Sequence, residues 1–431
     1  MASTYLTRNF TATGNRKIYT TSCWVKRSQI GATQMLISAD LQGDASYYSM
    51  IYIDGSDKLV MYNVDSGSND IYVQTNRLFR DTSAWYHIVI AFDTTQGTAS
   101  NRIKFYVNGV QETSMGQTTY PSLDSDNTFF NRAYRHNIGN KSYNNANYFS
   151  GSLSHFNFID GTAYDATAFG EYDANGVWKI KTSPSVTYGT NGFFILKDGN
   201  SVTDQSGNSN NFTVGGGTLT KTEDNPSNVF ATINPLVRTV STPSFNAGNN
   251  TVSSSAGAYQ NHFSTIGMTG SGKYYWEMKV NGTANSAMFF GISSDIEMNN
   301  LITVSNVVGS TSTGYSLVAS SGNKYNNENS TSYGSALTNG EIMMGALDLD
   351  NGKIWYGKNG TWFNSGNPAS GSNEAFSGIS ASNVYFVSGT VYDGGYGSVN
   401  YNFGNGYFET TAVASAGTNA SGNGIFEYDV P

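Results

Sequence analysis

Charged residues are scarce in this sequence. Lys, Arg, Asp and Glu make up 13% of the 431 residues, and aromatic residues make up 14%. Globular proteins usually contain about 25% charged residues, and disordered chains combine high charge with few aromatics. The composition therefore excludes a disordered chain. Ala, Leu, Glu and Lys, which favour helices, are also sparse, and this argues against a helix-rich fold.

Cysteine and long apolar runs are lacking too. Cys23 is the single cysteine, so no intrachain disulfide can form and folding does not require an oxidising compartment. The N-terminal residues lack the apolar core of a signal peptide, and no run approaches the ~18 apolar residues of a membrane-spanning helix. We therefore expect no membrane insertion. The net charge of -8 disfavours nucleic acid as a partner, because phosphate binding needs a basic surface.

The sequence contains many short strand-like runs separated by Gly, Asn, Asp and Ser. Alternation places Ile103, Phe105 and Val107 on one face of such a run, and the following Asn108-Gly109 suits a type I′ hairpin turn. Similar runs are Ile18–Lys26, Ser49–Ile53, Leu59–Asn63 and Tyr86–Asp93. The pattern predicts an all-β protein made of two tandem antiparallel β-sandwiches.

Prolines indicate where the two domains meet. Three of the seven prolines stand at 226, 235 and 243 in a polar stretch, which is typical of a connector. The predicted organisation is a first domain at 1–222, a linker at 223–242, a second domain at 243–408 and a C-terminal tail at 409–431. The tail is rich in Ala, Ser, Gly and Thr, and it ends in a short run with the pattern of a docking strand.

Five short motifs follow one another in the first half. They are Cys23–Lys26, Trp85–His87, Phe105–Gly109, His136–Gly139 and Phe149–Leu153. Their order resembles the laminin-G/concanavalin-like lectin sandwich, which implies a jelly-roll fold for this half. Asp204–Asn208 also resembles a turn of that family, although here it lies near the end of the predicted domain.

The second half carries a different set of motifs. Gly272–Lys279, Phe290–Ser293, Gly345–Gly360 and Val399–Gly404 resemble the strands of a SPRY domain. The resemblance extends over roughly 265–404 and implies a second sandwich of another type.

The order of the two halves is informative in itself. Joined through Phe230–Pro235, they resemble a family of marine bacteriophage proteins attributed to virion structure. The resemblance implies a non-enzymatic virion surface protein (a fibre, appendage or decoration subunit) that is made in the host cytoplasm. Its expected partners are other virion proteins, further copies of the chain in a homo-oligomer, and a host-surface glycan or protein. A purely structural virion subunit without a ligand is the alternative.

Loops rich in Tyr and Asn provide candidate ligand-binding residues. These candidates are Tyr325, Asn326, Trp362, Tyr392 and Asp393. Aromatic side chains bury a large area at little cost in entropy, which suits recognition of sugars or proteins. Ordinary filling of surface loops is the alternative interpretation. The tryptophans predicted in core strands are Trp24, Trp85, Trp276 and Trp355.

No catalytic residue is predicted. Glycoside hydrolysis, the natural activity to test for a concanavalin-like fold, needs two carboxylates that flank the scissile bond. Glu171-Tyr172-Asp173 is the nearest fragment, but no third acid follows, and two glycines mark it as a loop. Asp348 and Asp350 are interpreted as part of a hairpin and its turn. A polysaccharide-degrading enzyme is kept as the second alternative.

No metal or cofactor is predicted either. The four histidines show no ligand spacing of the H-x₃-H type. His87 and His155 lie in strand motifs and are expected to pack or form hydrogen bonds there, while Cys23 is expected to be a buried thiol. Asp204, Ser206 and Asn208 alternate in the manner of oxygen ligands for calcium. With only one acid among them, a structural turn is the favoured interpretation and calcium is the alternative.

Overall fold

The computed structural model of the protein describes residues 3–41, 43–126, 128–197, 201–254, 257–282, 288–392 and 398–431. Within these ranges the regular structure is dominated by antiparallel strands, so the predicted all-β fold is confirmed. The chain divides into two compact units, Met1–Lys221 with Asn225–Val229 and Thr222–Asp224 with Phe230–Pro431. No helix in the described ranges has the length and apolar character needed to cross a bilayer.

Unit one is a sandwich of an eight-stranded and a six-stranded sheet. In chain order its strands are β1 (Tyr5–Asn9), β2 (Ile18–Arg27), β3 (Gln34–Asp40), β4 (Tyr48–Ile53), β5 (Lys58–Asp65), β6 (Ser68–Leu78), β7 (Tyr86–Asp93), β8 (Ile103–Val107), β9 (Val110–Glu112), β10 (Met115–Thr119), β11 (Arg135–Ile138), β12 (Gly151–Asp160), β13 (Gly170–Tyr172), β14 (Trp178–Ile180), β15 (Phe193–Ile195) and β16 (Thr213–Gly216). The orders are β10-β6-β5-β4-β3-β11-β1-β16 and β15-β12-β2-β7-β8-β9, and β13 and β14 form a separate hairpin.

The core of unit one is built from alternating apolar side chains. In β8, Ile103, Phe105 and Val107 are buried and the residues between them are half-buried, as the alternation predicts. Asn108 and Gly109 have φ values of 48° and 85° and lead directly into β9. Positive φ at both positions is what a type I′ turn requires, so this predicted hairpin is confirmed.

Unit two is a sandwich of a seven-stranded and a six-stranded sheet. In chain order its elements are β17 (Ser244–Asn246), β18 (Thr251–Ser253), β19 (Gln260–Phe263), β20 (Lys273–Asn281), β21 (Phe289–Ser294), helix α1 (Asp295–Thr303), β22 (Gly314–Val318), β23 (Lys324–Asn326), β24 (Asn329–Thr331), β25 (Ile342–Asp348), β26 (Lys353–Lys358), β27 (Thr361–Trp362), β28 (Tyr385–Val391), β29 (Ser398–Asn402), β30 (Tyr407–Phe408) and β31 (Thr411–Ala412). The orders are β17-β18-β29-β20-β25-β26-β27 and β19-β28-β21-β22-β23-β24, and β30 pairs with β31.

The aromatic and thiol side chains assigned to the core are buried. Trp24, Trp85, Trp276 and Trp355 are exposed by 5%, 7%, 2% and 0%. Cys23 is also buried, and desolvation raises the pKa of its thiol to about 12. The predicted burial of these five side chains is therefore confirmed, although Trp85 lies one residue before β7 and not within a strand.

Helix α1 is not apparent from the periodicity of the sequence. It begins after Ser294, whose hydroxyl oxygen accepts a hydrogen bond from the backbone N–H of Glu297 at 3.1 Å. Glu297 is buried and accepts the N–H groups of Gly309 and Thr311 at 2.9 and 3.2 Å. Burial raises the pKa of Glu297 to about 7. The helix is thus fixed by a cap and a buried carboxyl group, neither of which produces an apolar period.

A buried carboxylate on β20 binds residues near the C-terminus. Glu277 is 0% exposed and accepts hydrogen bonds from the Tyr275 phenol at 3.0 Å and the Asn402 amide at 3.2 Å. It also accepts the backbone N–H groups of Glu427 and Tyr428, both at 2.9 Å. Desolvation raises the pKa of Glu277, and these four donors oppose the rise. Residues of the predicted tail are therefore bound to unit two.

Three histidines are buried as neutral hydrogen-bonding groups. The indole N–H of Trp178 donates to Nδ1 of His87 at 3.0 Å, and the Tyr401 hydroxyl lies 2.8 Å from Nε2 of His262. Desolvation lowers the pKa of His87 and His262 to about 3 and that of His136 to about 4. The packing and hydrogen bonding predicted for His87 and His155 are confirmed, because His155 is also buried and its Nδ1 lies 2.7 Å from the hydroxyl oxygen of Ser154.

We predict that the protein loses stability as the pH falls below 6.5. An unfolded chain protonates its histidines near pH 6.5, whereas His87, His136 and His262 resist protonation in the fold to about pH 3 or 4. Because the unfolded state then binds more protons, the free energy of unfolding should fall by about 2 kcal/mol per histidine at about pH 5. Thermal unfolding at neutral pH and at about pH 5 measures the change.

Glu297 provides the control for this prediction. In the folded protein the pKa of Glu297 lies above its ordinary value of 4.5. Protonation of Glu297 therefore stabilises the folded state at acid pH, and this stabilisation is lost as the pH rises through about 7. Glu297→Gln removes this opposing effect and should make the acid-induced loss in unit two steeper. Unfolding temperatures that do not differ between the two pH values would contradict the prediction.

Candidate functional site

Four aromatic side chains lie together at one end of the six-stranded sheet of unit two. They are Tyr259, Phe289, Tyr325 and Tyr392, which we call the aromatic cluster. The ring centroids of Tyr259 and Tyr392 are 5.3 Å apart with planes at 52°, and those of Phe289 and Tyr325 are 5.0 Å apart with planes at 61°. Tilted and edge-to-face arrangements of this kind are favoured between aromatic rings.

Antiparallel pairing brings these residues together. Gln260 pairs with Val391, so Tyr259 and Tyr392 lie across from each other one residue beyond the ends of β19 and β28. Phe289 is the first residue of β21, which pairs with β28 on one side and β22 on the other. Tyr325 lies on β23, the next strand outward. Four separate segments therefore contribute one ring each.

An apolar layer outside the sandwich core supports the cluster. Phe289 is 9% exposed and packs in a group with Phe263, Leu301, Val307, Val308 and Val318. Helix α1 contributes Leu301 to this layer. Tyr259 and Tyr325 pack against the layer and remain half-buried. The cluster consequently has a rigid base while parts of its rings stay accessible.

The phenol of Tyr325 is a neutral polar group within the cluster. The pKa of Tyr325 is raised, mainly by burial and further by the nearby charge of Glu328, so this phenol is protonated at neutral pH. A neutral phenol can both donate and accept a hydrogen bond. The arrangement therefore combines flat apolar faces with hydroxyl groups, which is suited to an uncharged ligand.

Two of the residues nominated from the sequence belong to the cluster, and a third lies beside it. Tyr325 and Tyr392 are cluster members. Asn326 follows Tyr325 on β23, and its amide nitrogen donates to the carbonyl oxygens of Thr311 and Gly314 at 3.2 and 2.6 Å. This amide holds β23 in place beside the cluster.

The other two nominated residues are not brought to the cluster. Trp362 is predicted in a loop, but the structure places it on β27 of the seven-stranded sheet, half-buried and 6.4 Å from the ring of Tyr275. The reason is the tight turn at Asn359 and Gly360 (φ 49° and 81°), which returns the chain directly to β26. Asp393 lies outside the described residues.

Sequence reasoning did not nominate Tyr259 or Phe289. A signal for Phe289 is present, because Phe289 and Phe290 are adjacent in a strand and must point to opposite faces. Phe290 enters the sandwich core, so Phe289 faces outward. Tyr259 has no comparable local signal, since its place depends on pairing with a strand more than a hundred residues later.

The residues considered for calcium form a closed turn. Oδ1 of Asp204 accepts the N–H groups of Phe194 and Ser206 at 2.8 and 2.9 Å. Oδ2 accepts the hydroxyl of Ser206 at 2.7 Å and the N–H of Asn210 at 2.8 Å. These four donors occupy the carboxylate, which supports the structural interpretation over the metal site.

We predict that Asp204 stabilises unit one without calcium. Asp204→Ala leaves buried N–H groups unsatisfied and should lower the free energy of unfolding by about 3 kcal/mol. Glu171→Ala, at an acid of the same unit whose side chain is 66% exposed, should have little effect. Thermal unfolding with calcium and with a chelator should give the same midpoint for the unaltered protein. A midpoint that rises with calcium would refute the prediction.

The acids considered for catalysis have structural contacts. Glu171 lies on strand β13 of a short hairpin, not in the predicted loop, because Asp173 closes the hairpin turn by accepting the N–H groups of Asn175 and Val177, both at 2.9 Å. Asp348 accepts two hydrogen bonds from Asn351 within the turn between β25 and β26. Among the described residues, no group of three or more His, Cys, Asp or Glu side chains is placed to hold a metal ion.

Comparison with known families identifies the two parts of the chain. Residues 2–166 match the profile of the family described as the concanavalin A-like lectin/glucanases superfamily. Residues 273–394 match the profile of the SPRY domain. The chain carries a concanavalin A-like domain followed by a SPRY domain. The two resemblances found in the sequence are therefore confirmed at the level of domains. No curated protein matches the chain.

Solved structures that are similar to parts of the chain include SPRY domains and a pentraxin. The SPRY domain of human HERC1 is 23% identical, with 35% of this chain and 87% of that chain covered and a TM-score of 0.29. The native heptameric SAP-like pentraxin from Limulus polyphemus is 17% identical, with 38% and 72% covered and a TM-score of 0.26. The PSpry domain of TRIM65 is 10% identical, with 40% and 88% covered and a TM-score of 0.30.

Proposed function

We propose that this protein is a non-enzymatic binding protein and that its SPRY domain contacts the ligand through the aromatic cluster. The observation that carries the proposal is the meeting of Tyr259, Phe289, Tyr325 and Tyr392 on a supported apolar layer. Clustered aromatic residues anchor many recognition surfaces, because they bury a large area with little loss of side-chain entropy.

The ligand class that fits best is a neutral glycan on a host cell surface. Stacking on ring faces and hydrogen bonds to phenols need no charge, and charged residues are only 13% of the chain. A protein surface with exposed apolar groups is the second candidate, because the same rings can bury apolar side chains.

The biological setting that we propose is the surface of a bacteriophage particle. Support comes from the order of the two domains, which resembles that of marine phage proteins. Many copies on one particle would turn weak single contacts into strong attachment, since linked sites raise the effective concentration. Other virion proteins and further copies of the chain are the proposed structural partners.

The first test is binding to a glycan array by the unaltered protein and by two variants, Tyr325→Ala and Tyr392→Ala. Each variant removes a ring from the cluster and should weaken binding about tenfold, as expected for loss of an aromatic anchor. Tyr172→Ala is the matched control, because Tyr172 is a 52% exposed tyrosine of the other domain. This control variant should bind as the unaltered protein does.

The alternatives give different results. Loss of binding in Tyr172→Ala alone would assign the ligand to the concanavalin A-like domain. No binding to any glycan, together with unchanged adsorption of phage that lack the protein, would favour a purely structural subunit. Release of reducing ends from laminarin or a host polysaccharide would favour the enzyme.

A further inference from the structure

Strand β20 is paired along more of its length on one side than on the other. Residues Lys273–Lys279 pair with β25, whereas pairing with β29 covers only Glu277–Asn281. In the described part of the chain, residues 273–276 therefore have no neighbouring strand on the β29 side. We call this stretch the free edge, and such an edge is a template for a further strand.

Hydrogen bonds near both ends of β20 show which groups face the free edge. On the β25 side, the carbonyl of Gly272 accepts a hydrogen bond from Leu349 and the N–H of Val280 donates one to Glu341, both at 3.0 Å. Because the bonding direction alternates along an antiparallel strand, the even-numbered residues bond to β25. The N–H and C=O groups of Lys273 and Tyr275 consequently point to the free edge.

A cavity of about 540 Å³ surrounds the free edge. Tyr274, Tyr275 and Trp276 all line it, although consecutive strand residues point to opposite faces. Since β25 occupies the other edge, the cavity reaches both faces by passing around the free edge. Further lining residues are Phe230, Met268, Phe403 and Phe426. This volume lies in the range of about 300–1,000 Å³ that is usual for ligand sites.

A positively charged side chain and an aromatic contact border the cavity beside the free edge. The side chain of Lys273 is 60% exposed, and its ammonium lies 3.6 Å from Asp348. Because more than half of the Lys273 side chain is exposed, its ammonium also remains accessible to a carboxylate of a partner. On the wall, the ring of Phe426 packs edge-on against Tyr275 at 4.9 Å.

We propose that the free edge binds an extended segment of a partner protein, which adds to the sheet as a further strand. Backbone pairing calls for an extended peptide, and the exposed cation of Lys273 calls for an acidic residue opposite it. Residues paired across strands share a face, so an aromatic residue fits opposite Tyr275. An antiparallel partner segment would therefore carry, from its N-terminal to its C-terminal end, an aromatic residue opposite Tyr275, a small apolar residue opposite Tyr274 and an acidic residue opposite Lys273. This site is separate from the aromatic cluster and does not rest on the function proposed above.

The test uses a fluorescein-labelled peptide, Ser-Ser-Phe-Val-Glu-Ser-Ser, and fluorescence anisotropy with the full chain. We expect saturable binding. Methylation of the backbone nitrogens of Phe and Glu removes the two donors that face β20, and loss of each bond should weaken binding about fivefold. Methylation of the Val nitrogen, which faces away from β20, is the control and should leave the affinity nearly unchanged.

Charge reversal in the protein gives an independent readout. Lys273→Glu should weaken binding of the peptide about fivefold and improve binding of a peptide with Lys in place of Glu. Lys279→Glu is the matched control, because it makes the same charge change on β20 where the edge is paired with Asn400. Thermal unfolding verifies that both variants fold, and the methylated peptides test the proposal on the unaltered protein.

Three results would overturn the proposal. The first is absence of saturable binding at millimolar peptide. The second is equal loss of affinity from both patterns of methylation, which would exclude backbone pairing. The third is a stable dimer of the chain that blocks the peptide, which would assign the free edge to a second copy.

Discussion

The carboxylate of Glu277 is the contact on which the architecture of unit two depends. A buried charge is costly unless several donors surround it, and here two side chains and two backbone N–H groups do so. Its register partner Asn402 is the last residue of β29. The same group therefore fixes the final pair of the ladder and holds the residues near the C-terminus. The free edge of β20 begins where that ladder stops.

Much of the fold was predictable because the local signals agree with one another. Alternation of Ile103, Phe105 and Val107, followed by Asn108-Gly109, specifies a hairpin by both side-chain pattern and turn geometry. Tryptophans within strand-like runs proved to be buried, since a large apolar ring is stabilised most in the interior. The family motifs added the order of the two domains.

The parts that were not predictable depend on distant pairing or on polar groups. The aromatic cluster needs Tyr259 beside Tyr392, which only the pairing of β19 with β28 provides. Helix α1 is held by Ser294 and the buried Glu297. These contacts are polar, so they do not produce the apolar periodicity from which a helix is predicted in a sequence. Trp362 joins a strand because a two-residue turn is too short to leave it in a loop.

The burial of Cys23 gives this chain a built-in reporter of local opening. Thiol reagents attack the thiolate, and here the sulfur is enclosed and its pKa raised to about 12. Labelling must therefore wait until the strands around Cys23 separate, and its rate measures how often they do. Because the chain has one cysteine, this chemistry reports on the concanavalin A-like domain alone. Local opening of the SPRY domain does not change the rate of labelling, so opening of the two domains can be distinguished without altering a residue.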